Sequence, residues 1–198
     1  MKESNHRTMN SLQSIAALLD IQLMDNEQTI PAAEMAHVRG HIQTLASLHE
    51  LLVFDVNGHK PQMVLSAKAA LEKLLPLLQK TVGNERIAWE VADVNLPAKE
   101  GMSLAVLINE LVTNAVKHGG HKVELSLGIS EGVVTLAVCD DGPGFAEAFH
   151  LTTAAHFGLE LVESIGRIDL GGRTSYSNLP GGGACVEVNF PLPVEAAA

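Results

Sequence analysis

Basic residues are scarce in this chain. Its 198 residues hold 13 Lys and Arg against 23 Asp and Glu, a formal net charge of -10. Such a chain has no evident means of neutralising the phosphates along a nucleic acid, which sets DNA and RNA binding aside. A small anion such as a nucleotide stays compatible, through local donors or a metal. Only 2 cysteines are present. Cys139 and Cys185 lie in apolar, strand-like runs and read as buried small hydrophobes of a reducing compartment. No apolar run approaches the roughly 20 residues that a membrane-spanning helix needs. Met1 opens onto a polar segment rather than a secretory leader. The expectation is a soluble, cytoplasmic protein. Two phosphate-binding signatures are also missing: there is no G-x-x-x-x-G-K-[ST], and "GPGFAE" lacks the third glycine of a dinucleotide fingerprint.

Apolar residues are plentiful, at 46% against 18% charged, which supports a packed core and excludes a disordered chain. Met9, Leu12, Ala16, Leu19 and Leu23 recur at three- and four-residue spacings and predict a helix over 1–25. "MDNEQTIP" interrupts the pattern, and Pro31 suits a helix start. Met35, Val38, Ile42, Leu45, His49 and Leu52 continue as a second stripe to about Phe54. The short connection makes the pair an antiparallel hairpin. Two helices cannot bury that seam alone. A second copy would complete a four-helix bundle, and folding back on the rest of the chain is the alternative.

"DVNGHKP", 55–61, reads as a linker. The boundaries expected are 1–57 for the hairpin and 61–194 for a second domain. In the latter, 63–80, 99–118 and 158–168 read as helices. Strands are expected at 86–92, 122–129, 133–140, "RTSYSN" and 184–190, with a tight turn at Glu131–Gly132. Helices on one face of a mainly antiparallel sheet make an α+β sandwich.

Two places carry chemistry. The helix at 99–118 ends "INELVTNAVKHGG". Asn109, Glu110, Thr113, Asn114 and Lys117 recur at spacings that put most of them on one face. A polar stripe on an otherwise apolar helix is costly unless it lines a wet site, although a solvated face would read the same way. Amide and carboxylate oxygens are also ligands that Mg²⁺ accepts, with waters and phosphates completing the shell. The second place is "VCDDGPGF", where a strand runs into two aspartates and a Gly-Pro-Gly turn. A carboxylate there can accept from the exocyclic amine of adenine, whereas guanine would oppose it with a carbonyl. A plain tight turn is the alternative. The loop between Phe145 and Phe157 has the length of a mobile cover over a ligand, and a helix starting near Gly158 presents N–H groups to a phosphate.

In order, N-E-x-x-x-N-A-x-K-H, D-x-G-x-G, F-G-L-x-L-V and G-G-G before the last strand resemble the GHKL ATP-binding fold of sensor histidine kinases, from about residue 63 to 192. "ESNHRTMNSLQSIAALLDIQ" and "LASLHELL" resemble the dimerisation and phosphoacceptor hairpin of the HisKA_2 type, related to the HWE kinases. The resemblance implies a homodimeric kinase that uses ATP and Mg²⁺ and has a response-regulator receiver domain as partner. It makes His6, the histidine before an arginine, the phosphorylated residue. Asn114 becomes the Mg²⁺ ligand. Asn109, Lys117 and His118 lie near the phosphates, with Glu110 organising water or a proton. Asp140 reads adenine, and Gly142, Gly144, Gly158 and Leu159 flank the nucleotide. Glu3, one turn before His6, is placed to accept its other ring proton, and Asn10, one turn after, to position a water. The unperturbed imidazole, with a pKa near 6.5, is a competent nucleophile at neutral pH.

The chain departs from the pattern at Met9 and Ser11, where the family often has lysine and a second asparagine, and at Ala184, where threonine is common. His6 lies so near the start that an upstream sensor has been left off, or else the signal arrives without one. A non-catalytic phosphotransferase, a serine kinase of the anti-sigma-factor type and an ATP-binding scaffold are the rival readings.

Overall fold

The computed structural model describes residues 64–82, 86–118, 121–146 and 157–193. The chain divides into two units, Met1–Pro61 and Gln62–Ala198, and every described residue belongs to the second. The expected hairpin at 1–57, its dimer, His6, Glu3 and Asn10 therefore lie outside the described residues, as does the loop at 147–156.

Short strand β1 (Val64–Ser66) leads into helix α1 (Ala67–Val82). Ser66 caps that helix, its Oγ accepting from Ala69 N–H at 3.1 Å and donating to Asp93 at 2.9 Å. Ala67, Ala70, Leu71, Leu74, Leu75 and Leu78 form its buried stripe. Pro76 sits on the exposed side, where the helical bond it cannot donate is replaced most cheaply by water. After β2 (Ile87–Val91) and β3 (Asn95–Pro97) comes the 20-residue helix α2 (Ala98–Lys117). The hairpin of β4 (Val123–Ser130) and β5 (Val133–Asp140) follows, then α3 (Phe157–Ser164), a π-helical turn at Ile165–Asp169, β6 (Arg173–Asn178) and β7 (Ala184–Pro191).

The five-stranded sheet has the order β2-β4-β5-β7-β6, and β1 pairs with β3 apart from it. Only the β2–β4 pairing is parallel. The β4–β5 turn is the tight one expected: Glu131 and Gly132 both take positive φ, 52° and 76°, which matches the twist of the strands they join. Val123, Leu125 and Leu127 on β4, Val134, Leu136 and Val138 on β5, and Val186, Val188 and Phe190 on β7 alternate onto one buried face. Leu104, Leu107, Ile108, Leu111 and Val112 of α2 are buried with them, and α2 packs against β4 and β5. The α+β sandwich expected from the sequence is the fold observed.

The helix expected over 158–168 is observed, its last turn π-helical where Gly166 meets β6, with no room for a Cβ beside Thr174 Oγ1. Two expectations need correction. Residues 64–66 are a strand, not the start of the helix. Cys139 and Cys185 are not buried hydrophobes: they are half-buried on the sheet face opposite the helices and joined by a disulfide. Register explains the pairing. They are direct partners on β5 and β7, with Cα atoms 4.0 Å apart. Among the described residues no helix is long and apolar enough to cross a membrane.

Since both cysteines are in that bond, thiol titration of the unfolded, unreduced protein should find no free thiol. The bond closes a separation of 46 residues. Reduction should lower the unfolding free energy by about 2–4 kcal/mol, read from denaturant midpoints with and without a dithiol reductant.

Candidate functional site

α2 owes its position to its apolar residues and its chemistry to its last two turns. Asn109 and Glu110 are the two buried polar residues among those described, and Glu110 has no exposed surface. Asn114, one turn on, donates from Nδ2 to Glu110 Oε1 at 3.0 Å. That bond orients the amide and leaves Oδ1 as the atom available to a ligand. Thr113 is half-buried, and Lys117 and His118 are exposed where the helix ends, His118 N–H closing the last turn on Asn114 O at 2.9 Å. The stripe thus grades from buried to open along one face, as a wet pocket at a helix end requires.

The first turn of α3 covers the buried end of this stripe. A Cβ on Gly158 would strike Glu110 Oε1 and lie 3.2 Å from Asn114 Nδ2. Only a residue without a side chain permits this approach. Gly158 is buried and Leu159 half-buried.

Asp140 ends β5. Its Oδ1 accepts from Gly142 N–H at 2.8 Å and from Ala184 N–H, at the start of β7, at 3.3 Å. Both bonds fall on one oxygen, which leaves Oδ2 for an incoming donor. The neighbouring aspartate has a different task. Asp141 is exposed and accepts from His121 N–H at 2.6 Å and Lys122 N–H at 2.8 Å, so it fastens the start of β4 to the end of β5. These bonds, Lys122 first, hold its carboxyl below the ordinary value. The stability it contributes is therefore present above the ordinary carboxylate pKa and is lost as pH falls through the depressed one.

Asp140, Gly142 and Gly144 share the turn after β5, while Asn109, Glu110, Asn114, Gly158 and Leu159 gather where α2 meets α3. Sequence reasoning noted Ala184 only as a departure from threonine and missed its contribution, a main-chain N–H to Asp140 that leaves no trace in residue type. It also passed over Tyr176 on β6, whose hydroxyl donates to Glu163 Oε1 of α3 at 2.9 Å. Burial, and then the Glu163 carboxylate, push the Tyr176 phenol far above its ordinary range, so it stays a neutral donor. A tyrosine within a polar strand is the signal that was available.

The donor set fits an adenine nucleotide with Mg²⁺. Asp140 offers an oriented acceptor for an exocyclic amine, and Asn114 offers one hard oxygen. Among the described residues no group of three His, Cys, Asp or Glu could cage a metal. Mg²⁺ does not need such a cage, since it keeps several waters and takes few protein oxygens beside substrate phosphates.

The family described as histidine kinase-, DNA gyrase B-, and HSP90-like ATPase matches residues 100–194, and the HisKA_2 histidine kinase family matches 3–81. The sensor histidine kinase PdtaS of Mycolicibacterium smegmatis is 23% identical over 97% of this chain and 39% of its own length. A probable sensor histidine kinase HK of Mycobacterium tuberculosis is 27% identical over 75% of this chain and 44% of its own. The chain thus spans about two fifths of the length of these two relatives. Among solved structures, the histidine kinase domain of the Erythrobacter litoralis EL346 blue-light activated histidine kinase superposes with a TM-score of 0.72 at 21% identity. It covers 96% of this chain and 92% of that one. The ATP binding domain of PrrB from Mycobacterium tuberculosis gives 0.58 at 25% identity, over 66% and 96%.

Two substitutions test the geometry. In Asp140→Asn, the two backbone donors keep the amide oxygen and turn the NH₂ toward the base, donor against donor. ATP affinity should fall roughly ten- to a hundredfold, and the preference for ATP over GTP should narrow, by calorimetry with both nucleotides. Gly158→Ala drives a methyl into Glu110 and should cost about 1–3 kcal/mol of stability, seen as a lower urea midpoint, together with weaker nucleotide binding.

Proposed function

The chain belongs to the histidine kinases, as a catalytic core of HisKA_2 and HATPase_c type, and on that premise we propose that it phosphorylates its own His6 from ATP and passes the phosphoryl group to a receiver-domain aspartate. The observation that carries the nucleotide half is the Asp140 carboxylate, held at one oxygen by two backbone N–H groups and open at the other. Asn114 Oδ1 would hold Mg²⁺, which would neutralise charge on the phosphates. Glu110 keeps that amide turned the right way, a positioning task that suits a side chain without exposed surface. Lys117 and His118 stand exposed at the open end, within reach of the phosphates in this reading.

The phosphoacceptor half rests on sequence and family. His6 lies in the segment matched by HisKA_2 and directly precedes Arg7. Neutral imidazole attacks the γ-phosphorus in line, the bond to the bridging oxygen breaks, and ADP leaves. The ring proton goes to Glu3 or to water. Phosphohistidine then transfers to a carboxylate on a receiver domain. A homodimer formed through the 1–57 hairpin would bring the acceptor and nucleotide domains of its protomers into one assembly.

Incubation with γ-labelled ATP and Mg²⁺ should give an acid-labile, alkali-stable label on the wild-type protein. His6→Ala should lose at least 90% of the label, on the order of what removal of a nucleophile costs, while its ATP affinity stays within about twofold. Full labelling of that variant would sink the assignment. ATP binding without any label in the wild type would favour the scaffold.

A further inference from the structure

Asn178 and Tyr176 stand two residues apart on β6, an edge strand of the sheet. Successive alternate positions of a strand share a face, so both point the same way as their register partners Ala184 and Val186 do. Neither belongs to a motif noted in the sequence. Each nevertheless grips one part of the candidate site.

The Asn178 carboxamide makes a two-bond pair with a single backbone residue. Its Oδ1 accepts from Phe145 N–H at 2.6 Å, and its Nδ2 donates to Phe145 C=O at 2.9 Å. A side chain thereby does for the turn after Asp140 what a neighbouring strand does for a ladder. The fit is close. Gly144 has φ +80°, and a Cβ there would come within 2.7 Å of Asn178 Oδ1 and 3.1 Å of Gly183 O. The Phe145 ring meets Tyr176 edge-on, with centroids 5.7 Å apart and planes at 83°. The Tyr176 hydroxyl continues to Glu163 of α3. α3 is the helix whose Gly158 seats against Glu110 and Asn114.

We infer that Asn178 and Tyr176 are positioning residues that tie the base-reading turn to the phosphate-side end of α2 and α3, with Asn178 setting the first and Tyr176 the second. This inference rests on the reading of the site as an adenine-nucleotide pocket. It separates two contributions that a purely structural staple would not separate. Loss of Asn178 loosens the turn holding Gly142 and Gly144, and is felt by any ligand that carries adenine. Loss of the Tyr176 hydroxyl leaves its ring against Phe145 and frees only α3, so it is felt only by a ligand that carries phosphates.

The test compares adenosine with ATP·Mg²⁺, by calorimetry, on the whole chain. Asn178→Ala should weaken both ligands by a common factor of roughly five- to tenfold, the scale of the hydrogen bonds removed. Tyr176→Phe should leave adenosine within about twofold while weakening ATP·Mg²⁺ by roughly fivefold. Trp89 emission, from the single tryptophan, monitors folding of each variant. Should Asn178→Ala fail to fold, Asn178→Asp carries the comparison: it keeps the oxygen that accepts from Phe145 N–H but sets its other oxygen against Phe145 C=O, so a common loss on both ligands is again expected. Equal effects of Tyr176→Phe on the two ligands, or none on either, would overturn the inference and leave the nucleotide reading standing. A wild-type protein that binds neither ligand would remove the nucleotide reading, and the inference with it.

Discussion

A carboxylate with no exposed surface, Glu110, is the constraint around which the domain is arranged. Taking a charge out of water costs several kcal/mol unless hydrogen bonds replace the lost hydration. Asn114 supplies one such bond from one turn away. The rest of the arrangement follows from keeping that pair enclosed but reachable. α2 must be apolar elsewhere so that the sheet can hold it, and its run of Leu104, Leu107, Ile108, Leu111 and Val112 meets that need. The helix laid over the carboxylate must have a residue without a side chain in its first turn, and Gly158 is that residue.

In the proposed reading, the sheet would do for the base what α2 would do for the phosphates. Asp140 is the last residue of an eight-residue strand, paired on both sides. Its carboxylate is turned by main-chain donors of Gly142 and Ala184 rather than by side chains. Ala184 opens β7 and has little backbone freedom left to lose, so the acceptor is oriented before a ligand arrives. Asp141, one residue on, is spent on holding the strand ends together. Two adjacent residues of the same type therefore differ in use, Asp141 fastening strand ends while Asp140 keeps one oxygen open, and only their hydrogen bonds tell them apart.

Much of this was legible because it is local. The β4–β5 hairpin announces itself through alternation and its turn, and α2 through an apolar face that stops at a polar one. Asp140 and Asn114 could be singled out because their neighbours in sequence are also their neighbours in space. What escaped depends on pairings far along the chain. β1 and β3 are three residues each, too short for a pattern, and exist because Val64–Ser66 and Asn95–Pro97 meet. The disulfide depends on the β5–β7 register across 46 residues. Asn178 and Tyr176 looked like ordinary members of a polar strand, since their partners Phe145 and Glu163 are separated from them by 33 and 13 positions.

The position of Asn178 at the end of β6 has a consequence for solution behaviour. An edge strand presents unpaired backbone groups and invites another chain to extend the sheet. β6 is short, carries Arg173 and two serines, and ends at a residue whose side chain already pairs with a backbone from its own fold. The device that seats the turn also blunts the corner of the sheet. A loss at this position would release Phe145 N–H and C=O beside that corner, adding two unpaired backbone groups next to an edge that already presents its own.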